Sequence, residues 1–196
     1  MNYLAHLFLA DDSDEFLIGS FLGDFVKGTL DDRYSEEITR GIIFHRKIDA
    51  YADAHERTVA SKNLFKPKRR RFAGIIVDIC YDHFLAKHWS NYSSIKLSAF
   101  ISYVYETLQK HDEILPERLK YILPRMIKQN WLESYQTIDG VEITLNRISK
   151  RIARKNSLKG SIEEIRLNYN ALEKNFLDFI PDLVVYAKSY SFKPEK

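Results

Sequence analysis

Apolar residues recur at helical spacing along most of the chain. In "DEFLIGSFLGDFVKG" the apolar set is Phe16, Leu17, Phe21, Leu22 and Phe25, with Ser13 or Asp14 placed to cap the start. Gly19 and Gly23 are four apart, so one side of this helix lacks Cβ atoms and lets another backbone approach. "SEEITRGIIFHRKIDAYADAHERTVASKN" opens with Ser35 and two acidic residues, an N-terminal helix signature, and predicts a break near Asp53–Glu56. After Pro67, "KRRRFAGIIVDICYDHFLAKHW" reads as a long helix with Phe72, Ile75, Ile76 and Ile79 on its apolar stripe, although "IIVDI" also has strand propensity. Further helices are predicted at 95–111, from after Pro116 to about 135, at 139–155 and at 161–187, with Pro181 kinking the last or splitting off a final turn. The pattern predicts an all-α fold of about seven helices. With no repeat or linker-like stretch, residues 1–196 read as a single compact domain.

Composition agrees: 45% hydrophobic and 29% charged residues describe a globular chain, and seven glycines with five prolines leave few turns for an all-β fold. The lone cysteine, Cys80, has no internal disulfide partner, which fits a reducing compartment. The start "MNYLAHLFLADDSDEF" lacks a basic n-region and a small-residue cleavage site, and no run approaches the roughly 18 apolar residues of a membrane span. A cytoplasmic protein is expected.

Net charge is +3 but unevenly spread. Residues 1–65 hold 12 acidic and 7 basic side chains, whereas 118–159 hold ten Lys/Arg against three Asp/Glu and "KPKRRR" at 66–71 adds five more cations. Such asymmetry points to a basic surface for an acidic partner.

The candidate chemistry lies in four segments that place His or Asp on an apolar face. His6 lies among Leu4, Leu7 and Leu9, and Asp24 among Phe21, Leu22, Phe25 and Val26. In "FHRKIDAYADAH", His45, Asp49 and Asp53 fall one helical turn apart; in "DICYDHF", Asp78 and Asp82 are four apart and His83 follows. Singly, each has an ordinary reading: a core histidine at His6, a pair of Asp24 with Lys27, Asp49 with Arg46, or Asp53 with Arg57. His55, His88 and His111 read as solvated or rim residues. Unpartnered burial of ionisable groups costs several kcal/mol, roughly, and four such segments converging favour a site. Imidazole nitrogen with several carboxylate oxygens suits a divalent ion such as Mn²⁺, Mg²⁺ or Fe²⁺ rather than structural zinc. Such an ion polarises phosphoryl oxygens and acidifies bound water. A helical scaffold with His and Asp ligands also resembles the HD-type metal-dependent phosphohydrolases, although His45 followed by Asp82 and His83 in reversed order departs from their pattern.

Together, "MNYLAHLFLA", "GSFLGDFVKG", "GIIFHRKIDAYADAH" and "DICYDHFLAKHW", in this order, resemble the acyl carrier protein phosphodiesterases, densely over residues 1–90 and loosely afterwards. The resemblance implies an HD-phosphohydrolase-like helical fold and release of 4′-phosphopantetheine from the serine of holo-acyl carrier protein, with a divalent metal, typically Mn²⁺. It implies metal ligands at Asp24, His45, Asp49, Asp82 and His83, with His6 or Asp78 orienting water or protonating the leaving group. The carrier, small and acidic, would meet Arg69, Arg70 and Arg71, which precede the helix bearing Asp78 and Asp82, helped by basic residues of 118–159. The chain departs from the family pattern at Ser20, where Asn is expected, and over Ala52–Glu56, where a Thr-Asp-x-His-Pro-like run is expected.

Two other functions fit part of the pattern. A phosphohydrolase of a nucleotide or other small phosphodiester would share the metal site. A basic helical module for nucleic acid would use the cations but leave the buried His/Asp set without a role. No basic amphipathic helix stands out for a membrane surface.

Overall fold

The computed structural model describes residues 1–10, 13–30, 32–152 and 158–191; Arg154 and Lys155, part of the basic stretch and of the expected 139–155 helix, lie outside them. Among the described residues the fold is all helical, with no strand. Eleven α-helices follow in order: α1 (Tyr3–Phe8), α2 (Asp14–Leu22), α3 (Glu36–Ala54), α4 (Glu56–Asn63), α5 (Ala73–Lys87), α6 (Leu97–Lys110), α7 (Glu117–Lys128), α8 (Trp131–Ser134), α9 (Ile138–Arg151), α10 (Ile162–Leu167) and α11 (Tyr169–Ser191). Short 3-10 turns occupy Pro67–Phe72, Trp89–Asn91 and Asp112–Ile114.

The count exceeds seven because several predicted helices are divided. His55 ends α3 in an extended conformation and starts α4, its Nδ1 accepting the Arg57 amide. Asn130 takes a left-handed φ of 42° and separates α7 from α8. At Asn168 the side-chain amide donates to the Leu64 and Glu164 carbonyls and divides α10 from α11. Pro181, by contrast, neither ends α11 nor splits off a turn. It lies on the exposed face, where the Leu177 carbonyl left without a donor faces water. "IIVDI" is helical within α5, which is buried nearly all round and therefore lacks a polar stripe.

Serine caps fix the starts of the two helices nearest the site. Ser13 accepts the Phe16 amide, and Ser35 accepts the Ile38 amide while donating to Glu15. α2 and α3 then cross at Gly19 and Gly41. A Cβ on Gly19 would collide with the Ile38 carbonyl oxygen, and one on Gly41 with the Phe16 carbonyl oxygen. The core around this crossing includes Phe16, Ile18, Leu22, Ile42 and Ile48, joined by Ile76, Phe84, Phe176 and Phe179 from α5 and α11, all essentially inaccessible. Each such side chain contributes roughly 1.5–3 kcal/mol by burial.

The Pro67–Phe72 turn alters one expectation. Arg69 is not a surface cation beside Arg70 and Arg71 but is buried, 2.6 Å from Glu164 and bonded to the Gly160 carbonyl. Glu164 also accepts the Lys66 amide, so the pair ties this turn to α10. Removing one partner of a buried pair costs about 3–5 kcal/mol. Arg69→Ala should therefore lower the unfolding midpoint in urea, whereas Arg70→Ala, at an exposed position, should leave it nearly unchanged. Gly41→Ala should destabilise by about 1–3 kcal/mol through forced separation of α2 and α3, read in the same titration.

Candidate metal centre

The sequence carries its clearest chemical pattern into α3, where His45 and Asp49 share a face as their spacing of four requires. His6 comes from α1 and stacks on His45, ring centroids 3.6 Å apart and 14° from parallel. Asp49 lies across both: Oδ1 is 3.0 Å from His6 Nε2 and Oδ2 is 3.2 Å from His45 Nε2. Asp24, just beyond α2, is 4.0 Å from His45 Nε2. The Met1 ammonium sits 3.1 Å from Asp49 and 3.2 Å from Asp78, a cation between two carboxylates.

Three local features hold this geometry. A Cβ on Gly23 would overlap the His45 ring, so glycine there makes room for the imidazole. His45 Nδ1 donates to the Ser20 carbonyl at 2.7 Å, and the Ser20 hydroxyl donates to the His6 carbonyl at 3.0 Å. α1 in turn is fixed by Asp82 of α5, whose two carboxylate oxygens accept the Leu4 and Ala5 amides at 2.8 and 3.1 Å. Asn2 gives α1 no side-chain cap, so a residue remote in sequence supplies the acceptors.

The Ser20 carbonyl only accepts, which puts a proton on His45 Nδ1. With Nδ1 committed there, Nε2 is the ring nitrogen that faces Asp49 and is the one placed to meet a carboxylate or a metal ion. Burial and neighbouring His45 lower the His6 pKa to about 3, so His6 is neutral near pH 7. Burial alone would raise the Asp49 pKa, but hydrogen bonds with His45 and His6 and the ammonium charge hold it well below the usual carboxylate range. Burial likewise opposes the charge on Met1, yet Asp78 and Asp49 carry its pKa up to about 11. Burial also pushes the Asp24 and Asp78 carboxyls upward.

Among the described residues, His6, His45 and Asp49 form the group able to converge donor atoms on one ion, all within 4.8 Å of one another. Asp24 and Asp78 border it. Asp82 and His83 stand apart: Asp82 spends both oxygens on α1, while His83 donates from Nδ1 to the Tyr135 carbonyl and engages Tyr169 through Nε2. Neither belongs to the group whose donor atoms converge at His45. His6, expected beside the ligands, lies in contact with His45 and Asp49, and the Ser20 backbone is a support that a departure at that side chain leaves intact. The ordinary pairings differ as well, Asp53 meeting Lys62 at 2.7 Å and Arg57 approaching Asp178. His55, His88 and His111 bond to Asp182, Glu173 and the Thr107 carbonyl.

A cavity of about 320 Å³ adjoins the centre, lined by Met1, Tyr3, Asp24 and Asp78 and bordered by Arg118 and Arg151. The lining thus places two carboxyl groups, Asp24 and Asp78, and two guanidinium groups around one space.

His45→Ala and Asp49→Ala should each lower Mn²⁺ affinity in calorimetric titration by more than the about 10- to 100-fold typical of losing an outer partner. Gly23→Ala, with every donor retained, should weaken binding by displacing His45. Asp82→Ala should act differently: two helix amides lose their acceptor, costing about 1–3 kcal/mol each in stability.

Comparison with known proteins finds relatives over nearly the whole chain. The family model described as acyl carrier protein phosphodiesterase matches residues 1–183. A protein of Enterobacter sp. (strain 638) named acyl carrier protein phosphodiesterase is 34% identical over 190 residues, covering 96% of this chain and 98% of its own. Proteins of the same name from Photorhabdus laumondii and Klebsiella pneumoniae are 32% and 33% identical, covering 98% and 96% of this chain and 98% of each of theirs. No solved structure matches. No helix among the described residues is long and apolar enough to cross a membrane. Family model and full-length relatives agree: the chain belongs to the acyl carrier protein phosphodiesterase family.

Proposed function

We propose that the protein hydrolyses holo-acyl carrier protein in the cytoplasm, releasing 4′-phosphopantetheine and leaving the carrier serine free, with a divalent metal held by His6, His45 and Asp49. The observation that carries the metal part is the convergence of donor atoms from His6, His45 and Asp49 within 4.8 Å of one another, with His45 Nδ1 committed to Ser20. Two imidazole nitrogens and a carboxylate, without thiolate, suit Mn²⁺, with Mg²⁺ or Fe²⁺ as alternatives. When bound, such an ion supplies an acidified water and neutralises phosphoryl oxygens. The substrate part is supported by the names of the relatives, which span nearly the whole chain.

The residues divide the remaining work. His6 and Asp49 stay neutral and ionised respectively near pH 7, the states in which both offer lone pairs. Arg118 and Arg151 at the cavity edge hold the phosphodiester by charge-assisted hydrogen bonds. Asp78 lines the same cavity beside the Met1 ammonium, with a carboxyl that burial pushes upward and the ammonium draws down. Water attacks phosphorus and keeps one proton in the new P–OH, the bond to the serine oxygen breaks, and Asp78 relays the other water proton to that oxygen.

Incubation with holo-acyl carrier protein and Mn²⁺, followed by mass spectrometry of the carrier, should show loss of the phosphopantetheine mass, abolished by chelator. An unchanged mass with Mn²⁺, Mg²⁺ and Fe²⁺ refutes the proposed reaction. Asp78→Asn should lower kcat by about 10²–10⁴-fold, the span of a general acid, while Mn²⁺ affinity is retained.

A further inference from the structure

A concavity larger than the cavity at the metal centre lies beside it. α7 and α9 enclose an open groove of about 1230 Å³. Its walls carry Arg118, Arg125, Arg147, Lys150 and Arg151 and no carboxylate. None of the five is ion-paired among the described residues, whereas most other charged side chains near α10 and α11 have partners. Concentrating unpaired like charges along one groove costs folding free energy, so a bound anion has a large electrostatic gain to make there. The groove also offers apolar contact at its edges: Tyr121 and Ile143 are 86% and 58% exposed, and the Arg147 guanidinium covers the Trp131 ring at 3.7 Å.

Arg118 and Arg151 line both this groove and the 320 Å³ cavity at the metal centre, so the two spaces meet at those residues. A ligand lying along α7 and α9 therefore ends where a phosphodiester has to enter. Cations interleaved with exposed apolar side chains match an acidic amphipathic helix better than a uniformly polar surface.

We infer that the α7–α9 groove docks an acidic helical face of the protein substrate, with Arg125, Arg147 and Lys150 holding the carrier and Arg118 and Arg151 receiving its phosphodiester. This rests on the proposed hydrolysis of acyl carrier protein. It moves recognition away from the Pro67–Phe72 turn, where Arg69 is already engaged by Glu164.

The test is a double charge reversal, Arg125→Glu with Lys150→Glu, at two exposed positions outside the chemistry. Metal-loaded full-length protein is assayed on holo-acyl carrier protein and on a small aryl phosphodiester, and carrier affinity is read separately by fluorescence anisotropy. The reversed protein should bind the carrier about tenfold more weakly or worse, raise KM in parallel, keep kcat, and show a flatter salt dependence. Aryl ester turnover, Mn²⁺ affinity and thermal midpoint should be unchanged. Unchanged carrier affinity overturns the assignment, as do equal losses on both substrates. Loss of affinity for a DNA oligonucleotide with carrier affinity unmoved would give the groove to nucleic acid and also overturn it. If wild-type protein binds the carrier without cleaving it, the proposed reaction fails while anisotropy of the reversed variant still decides the groove.

Discussion

The site depends on a backbone crossing that contains no Cβ. Gly19 and Gly41 let α2 and α3 approach until carbonyl and Cα atoms meet, and any side chain at either position would force them apart. That proximity brings the Ser20 carbonyl to His45 Nδ1, and this bond decides which nitrogen faces Asp49. A packing constraint is thereby converted into a protonation state. Gly23 continues the same logic one turn further on, where the imidazole itself fills the space a Cβ would take.

The second support is electrostatic and reaches across the sequence. Asp82 on buried α5 provides the acceptors that the first turn of α1 lacks, and α1 brings His6 onto His45. Burial pushes the Asp82 carboxyl up to about 7 against the pull of those two amides, so its charge is held at a cost. The two amides at the first turn of α1 offset part of that cost. Around the stacked imidazoles, one carboxylate is held strongly ionised and two are pushed toward the neutral form, which limits mutual repulsion in a confined volume.

Much of this was legible in the sequence where the determinants are local. The helical class, the Ser13 and Ser35 caps, the break near His55 and the shared face of His45 and Asp49 all follow from spacing within a few residues. Where the determinant is remote, spacing is silent. Asp78 and Asp82 have the same i, i+4 pattern as His45 and Asp49, yet Asp82 meets amides 77 and 78 positions away and His83 meets a carbonyl 52 positions away. A buried carboxylate capping another helix and one beside a metal ion look alike in sequence, because both need burial and several donors or ligands nearby. Arg69 in a basic run looked like surface for the same reason: its partner Glu164 is 95 residues downstream. Pro181 does not split off a final turn, since α11 runs through it at an exposed position.

The most direct measurement is an anomalous difference map from a crystal of the protein grown with Mn²⁺. A peak bounded by His6, His45 and Asp49, with His45 Nε2 turned to it and Nδ1 still on the Ser20 carbonyl, is the predicted result. A peak beside His83, or His45 bonded through Nδ1 with Nε2 turned away, would contradict it.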